Sequence, residues 1–141
     1  MQTFLCYPSF VESAKCLDRQ RLGKQRVEAK QILDVLISNP DSRWRNHPAV
    51  LMWKGYEDSL VTYGKVICEE WIKRGYKDTL LEWFEQQIGL YRFGCPTWLG
   101  NSKFHLSHQS NLVRKFPEHY RQYFPDVPDN LPYFWPTKEG Y

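Results

Sequence analysis

The sequence predicts an all-α, single-domain compact helical bundle with an extended aromatic C-terminal tail, on three observations. Apolar residues recur at helical spacing in two long segments, good capping residues precede most of the helical stretches, and the closing FPDVPDNLPYFWPTKEGY is too rich in proline for a helix. At 141 residues the chain fits one domain, 1–141, large enough to bury a core without disulfide or metal staples.

Residues 1–8 read as extended and end at Pro8. Ser9 can cap a short helix through about Leu17, and a second helix should run from roughly Leu22 to Ile37, where Asn39-Pro40-Asp41 stops it. Asn46 suits an N-cap for a third helix with Pro48 in its first turn. That helix carries Val50, Trp53, Leu60, Tyr63, Ile67 and Trp71 at steps of three, four or seven, so one stripe faces a core. Gly55 and Gly64 are placed to bend it, and Gly75 to end it. Asp78-Thr79 opens a fourth helix over Leu80, Trp83, Phe84 and Ile88. Residues 89–100, GLYRFGCPTWLG, read as an irregular loop. Asn101-Ser102 caps a fifth helix to about Lys115, and Pro117 starts a short sixth through Tyr123.

Net charge is only +3, but it is unevenly spread. Residues 15–30 hold Lys15, Arg19, Arg21, Lys24, Arg26 and Lys30 against Asp18 and Glu28, and residues 43–54 hold Arg43, Arg45 and Lys54 with no acid. Charge concentrated in this way suits a polyanion, and nucleic-acid phosphates are the obvious one. No apolar run is long enough to span a membrane, and MQTFLCYPSF lacks the basic flank and long apolar stretch of a signal peptide, so a cytoplasmic, nucleoid-associated protein is expected. Cys6, Cys16, Cys68 and Cys95 are scattered without a CxxC pair, which reads as reduced thiols. His105 and His108, with His119 and Cys95 nearby in sequence, lack zinc-ligand spacing, and no phosphate-loop, dinucleotide or nucleophile-elbow motif occurs.

On the second helix, Leu22, Ala29, Ile32, Leu33 and Leu36 fall on one side at 100° per residue, and Arg21, Lys24, Glu28 and Gln31 on the other. Two readings fit the polar side. It is either a solvated face with a Lys24–Glu28 pair, or a surface for a sugar-phosphate strand. Gly23, a poor helix residue useful where another backbone comes close, and the basic SRWRNHP segment at the mouth of the next helix favour the second. A carboxylate facing phosphates repels them, so Glu28 needs a reason, and acid–base chemistry on the bound polymer is one. Trp44 can stack on a base or plug the core. His47 is either a cap-region residue or a DNA contact, and His108 either a phosphate or base contact or a satisfied surface histidine.

The blocks CLDRQRLGKQRVEAKQIL, WRNHPAVLMW and CEEWIKRGYKDT, with SHQSNLVRKFPEHYRQYFP and LPYFWP, resemble the pyrimidine-dimer DNA glycosylase family of the phage endonuclease V type and its bacterial and phage relatives. The likeness covers nearly the whole chain. It implies an all-α domain that kinks duplex DNA and flips a nucleotide. An N-terminal amine then attacks the sugar C1′ with help from a helix glutamate, and the resulting imine permits strand cleavage without a metal or cofactor. Carried onto this sequence, Met1 and Glu28 are the catalytic candidates. Arg19, Arg21, Lys24, Arg26, Arg43, Arg45, His47, His108 and Trp135 are the candidates for holding double-stranded DNA, with Tyr133 and Phe134 beside Trp135 in the tail.

Two departures stand out. The family's glutamate directly follows an arginine, whereas Val27 separates Arg26 from Glu28; and Gln2, too bulky for ordinary methionine removal, stands where the enzymes have threonine. The expected function is a DNA glycosylase acting on a damaged or modified pyrimidine, with or without lyase activity, as a monomer. The alternative is a non-catalytic DNA-binding or nucleic-acid-processing accessory protein on the same fold.

Overall fold

A computed structural model describes residues 1–91 and 94–136, and among these the chain forms seven helices and no strand. Positions 92 and 93 of the predicted loop and 137–141 of the predicted tail lie outside the described residues. Helix α1 (Phe10–Cys16) begins where Ser9 accepts a hydrogen bond from the Glu12 N–H at 3.2 Å. Helix α2 (Arg19–Ile37) starts one turn earlier than its apolar pattern suggests, because Asp18 caps it and accepts from the Arg21 N–H.

The predicted third helix is two helices. His47, not Asn46, caps α3 (Pro48–Leu51) by accepting from the Ala49 N–H at 3.0 Å, and α4 (Glu57–Lys73) follows a turn. Gly55 makes the break at φ +88°, a conformation that residues with a Cβ rarely adopt. Helix α4 runs unbroken through Gly64. A Cβ there would lie 2.3 Å from the ring of buried Phe84, so glycine is needed for helix α5 (Leu81–Gln87) to pack down. The approach at Gly23 is likewise a ring and not a backbone: its missing Cβ leaves room for Trp71, 2.9 Å away. Helix α6 (Ser102–Lys115) is capped by Asn101 as expected, and α7 (Pro117–Tyr120) stops short of Tyr123. All four thiols are free, with Cys6, Cys16 and Cys68 buried.

Helix α4 packs against α1, α2 and α5, around fully buried Trp53, Tyr63, Phe84, Phe104 and Tyr120. Into this bundle runs the extended N-terminal segment, with Thr3, Phe4, Leu5 and Cys6 buried. A buried backbone without a strand neighbour must find other hydrogen-bond partners, and here side chains supply them. The Phe4 N–H donates to Gln25 Oε1 (3.0 Å), and the Phe4 carbonyl accepts from the Tyr63 hydroxyl (3.0 Å). The Leu5 N–H donates to His108 Nδ1 (2.9 Å), and His105 Nδ1 meets the Leu5 carbonyl (2.8 Å). Gln109 donates to the Cys6 carbonyl, and Ser13 pairs with both backbone groups of Tyr7.

The tail is held similarly. Ser107, Ser110 and Asn111, all buried on α6, bond the Phe134 N–H, the Leu131 N–H and the Leu131 carbonyl. These bonds lay Tyr133 and Trp135 back across the domain.

The core placement of His108 overturns the expectation of a surface contact. It is fully buried between Phe4, Phe104 and Tyr133, and cannot reach a strand outside. Burial, and secondarily His105, lowers its imidazole to about 3, so it is neutral in the folded protein. In the unfolded chain it takes up a proton near pH 6.5, so the folded state binds fewer protons between the two values. Stability is therefore complete above about pH 6.5 and falls on acidification, with a slope of at most about 1.4 kcal/mol per pH unit from this residue. Urea denaturation at a series of pH values should show that fall between about pH 6.5 and 4.5, above most carboxylate titration, and a flatter profile for His108→Gln.

Candidate active site

Helix α2 presents Arg21, Lys24 and Glu28 on its polar face, while Leu22, Ala29, Ile32 and Leu33 are fully buried on the other. The N-terminal segment crosses this polar face, and the two together floor a cleft of about 440 Å³. Met1 and Glu28 both line it, with Gln2, Phe4 and Gln25 between them. The leading ammonium lies close enough to His47 that, after burial, it is the second influence lowering that imidazole below its ordinary value.

Glu28 is held by neutral donors. Its Oε2 accepts from the Gln2 N–H at 3.1 Å and from Gln25 Nε2 at 3.1 Å, whereas Oε1, among the described residues, meets only the Lys24 ammonium, at 3.8 Å. The side chain is 12 % exposed, and that of Lys24 is 73 % exposed.

The walls come from distant parts of the chain. His47 and Trp135 meet edge to face at 6.4 Å, and Tyr133 packs beside Trp135 at 5.6 Å. Lys115, the last residue of α6, sits 5.5 Å from the Phe4 ring centre and 5.8 Å from that of Tyr133. Burial, followed by the nearby Arg21 and Arg114 cations, lowers its ammonium from the ordinary lysine value. A cleft with a carboxylate on its floor, cations at its edge and rings on one side can accept a phosphate-bearing ligand with a flat apolar part.

Of the sequence candidates, Met1, Glu28, Arg21, Lys24, His47 and Trp135 thus converge on one cleft. The others do not. Arg26 faces away, ion-paired with the nearly buried Asp78 and 4.6 Å over the Trp71 ring, so its charge is spent inside the fold. Arg19 is exposed along a separate groove with Lys15, Lys73 and Arg74. Arg43 lies against Trp44, and Arg45 bonds the Ser42 carbonyl, both on the exposed connection between α2 and α3. Trp44 is 40 % exposed there and not in the core, touching His47. Gln25 and Lys115 escaped the sequence reading. Lys115 had a signal, as one of two adjacent cations ending a helix; Gln25 had none, since its importance depends on the N-terminal segment lying over it.

Among the described residues no group of three His, Cys, Asp or Glu side chains is placed to hold a metal, and no described helix is long and apolar enough to cross a membrane. In comparison with known proteins, the family profile described as pyrimidine dimer DNA glycosylase matches residues 1–82, which include the whole of α2. No curated protein and no solved structure gives a significant match.

The different fates of two cations on α2 are measurable. Arg26→Ala takes away the ion pair of Asp78, leaving its carboxylate the Leu80 and Leu81 N–H donors, and should lower the unfolding free energy by about 2 kcal/mol. Lys24→Ala, which removes an exposed pair, should change it by less than about 1 kcal/mol. Urea denaturation of both variants checks the contrast.

Proposed function

Because the chain belongs to the pyrimidine dimer DNA glycosylase family, we propose that it removes a damaged or modified pyrimidine from duplex DNA, with the nucleotide extruded into the cleft between α2 and the aromatic tail. Extrusion is required because the glycosidic carbon is inaccessible in a stacked duplex. The single observation that carries this reading is the sharing of one cleft by Met1 and Glu28, beside Arg21, Lys24 and Lys115.

In the reaction the unprotonated Met1 amine attacks C1′. The bond from C1′ to the base breaks with its electron pair on the base, which leaves as it takes up a proton. Opening of the sugar ring then gives an imine between the amine and C1′. Glu28 stabilises the positive charge that develops on the sugar, while Arg21, Lys24 and Lys115 hold the flanking phosphates. Trp135 and His47 offer ring surfaces to the extruded base. Loss of the 3′ phosphate from the imine by β-elimination would make the protein a lyase as well. Its place of work would be the cytoplasm, on nucleoid DNA.

A second reading, an accessory DNA-binding module without catalysis, is favoured by Gln2 in place of the family's threonine and by Val27 between Arg26 and Glu28.

Borohydride reduction of the protein with an abasic-site duplex separates the two. The enzyme reading expects a reduced covalent adduct linked through the Met1 nitrogen, release of a singly modified pyrimidine, and, in a duplex carrying a pyrimidine dimer, cleavage of a C1′–base bond with the freed base still joined to its neighbour. Glu28→Gln should slow base release about a hundredfold or more while binding DNA at least as well. Salt-sensitive DNA binding with neither adduct nor base release would leave the accessory module.

A further inference from the structure

We propose that Gln25 is a positioning residue of this site: its amide clamps Glu28 Oε2 and the N-terminal segment together, leaving Oε1 as the working oxygen. The inference rests on the reading of Glu28 as the catalytic carboxylate.

Gln25 is 1 % exposed, and every polar atom of its amide is engaged. Oε1 accepts from the Phe4 N–H at 3.0 Å and lies 2.6 Å from the Tyr63 hydroxyl, whose one proton is shared between Gln25 Oε1 and the Phe4 carbonyl. The Phe4 N–H can only donate, so the end of the amide facing it is the oxygen and the opposite end the nitrogen. Nε2 donates one hydrogen to the Gln2 carbonyl at 2.8 Å and the other to Glu28 Oε2 at 3.1 Å. Tyr63 is fully buried on α4, so the amide's orientation is anchored in the core.

The consequence is geometric. The residue adjoining Met1 and the carboxylate of Glu28 are two ends of a single amide bridge. Gln2 closes it by donating its own N–H to the same Oε2. With Oε2 occupied by two fixed donors, a turn of the carboxyl group would break both bonds. Oε1 has only the largely exposed Lys24 ammonium beside it, and its engagement with a developing sugar cation costs no internal hydrogen bond. Such preorganisation is felt in the chemical step, not in the grip on the polymer.

Two substitutions test this. Gln25→Glu keeps an acceptor for Phe4 and Tyr63 but turns the donor into an oxygen facing Glu28, and Gln25→Met keeps length without polarity. Steady-state kinetics on a duplex with one pyrimidine dimer, and borohydride trapping on an abasic-site duplex, should show kcat and adduct formation reduced about tenfold to a hundredfold, with KM within about twofold. Should either variant fold poorly, Tyr63→Phe removes the anchoring hydroxyl while preserving the ring and the Gln25 amide, and is expected to lower kcat about threefold at constant KM. Unchanged kcat in folded variants of an active wild type, or a loss confined to KM, overturns the positioning role alone. A wild type that neither cleaves the C1′–base bond nor forms an adduct overturns the Glu28 reading and this inference with it.

Discussion

An extended chain buried among helices has no neighbouring strand to bond, and this constraint organises the molecule. Each polar backbone group from Gln2 to Tyr7 that leaves water must be met by a side chain. The bundle answers with Gln25 from α2, Tyr63 from α4, and His105, His108 and Gln109 from α6. With Ser13 of α1 bonding Tyr7, four helices are thereby fixed to one segment, and the leading residue emerges in the cleft that Glu28 lines. The position of the amine follows from the folding problem that the segment poses.

The same arrangement accounts for a carboxylate within a basic helix. Counting charges along α2 suggests a strongly positive face, yet several of the cations are paired. Arg26 serves Asp78, Arg21 pairs with Asp18, and Lys30 pairs with Asp34 while lying over Trp83. What remains toward the cleft is a smaller set, chiefly Lys24 and Lys115 with the half-buried Arg21. Glu28 is steadied chiefly by two neutral N–H groups and not by a close ion pair. The cations are consequently left to face an external anion, and acid and base need not cancel on the same surface.

Much of the fold was legible because its signals are local. Ser9 and Asn101 cap the helices they precede, and the apolar spacing of α2 and α4 marks their buried sides. Gly55 was harder: one apolar stripe runs through it, and only its left-handed backbone reveals that the stripe is shared by two helices. Within the site, Met1 and Glu28 could be paired through the resemblance. His108 could not be assigned correctly, since histidine spacing on a helix does not tell whether an extended segment will take up its ring nitrogen. Arg26 and Lys24 look alike in sequence, and their difference comes from Asp78, fifty residues away, and from the Trp71 ring that fills the space at Gly23.

Tyr133 and Trp135 reach the cleft from a tail fastened by the serines and asparagine of α6, and both lie beyond the stretch that the family profile matches. Under the proposed reading the reactive groups therefore lie within the matched stretch, and two of the lining rings, Tyr133 and Trp135, lie beyond it. On that reading, drift in the later half would reshape which nucleotide is admitted without disturbing the amine or the acid. A lineage built on this plan can change its targets while inheriting its chemistry intact.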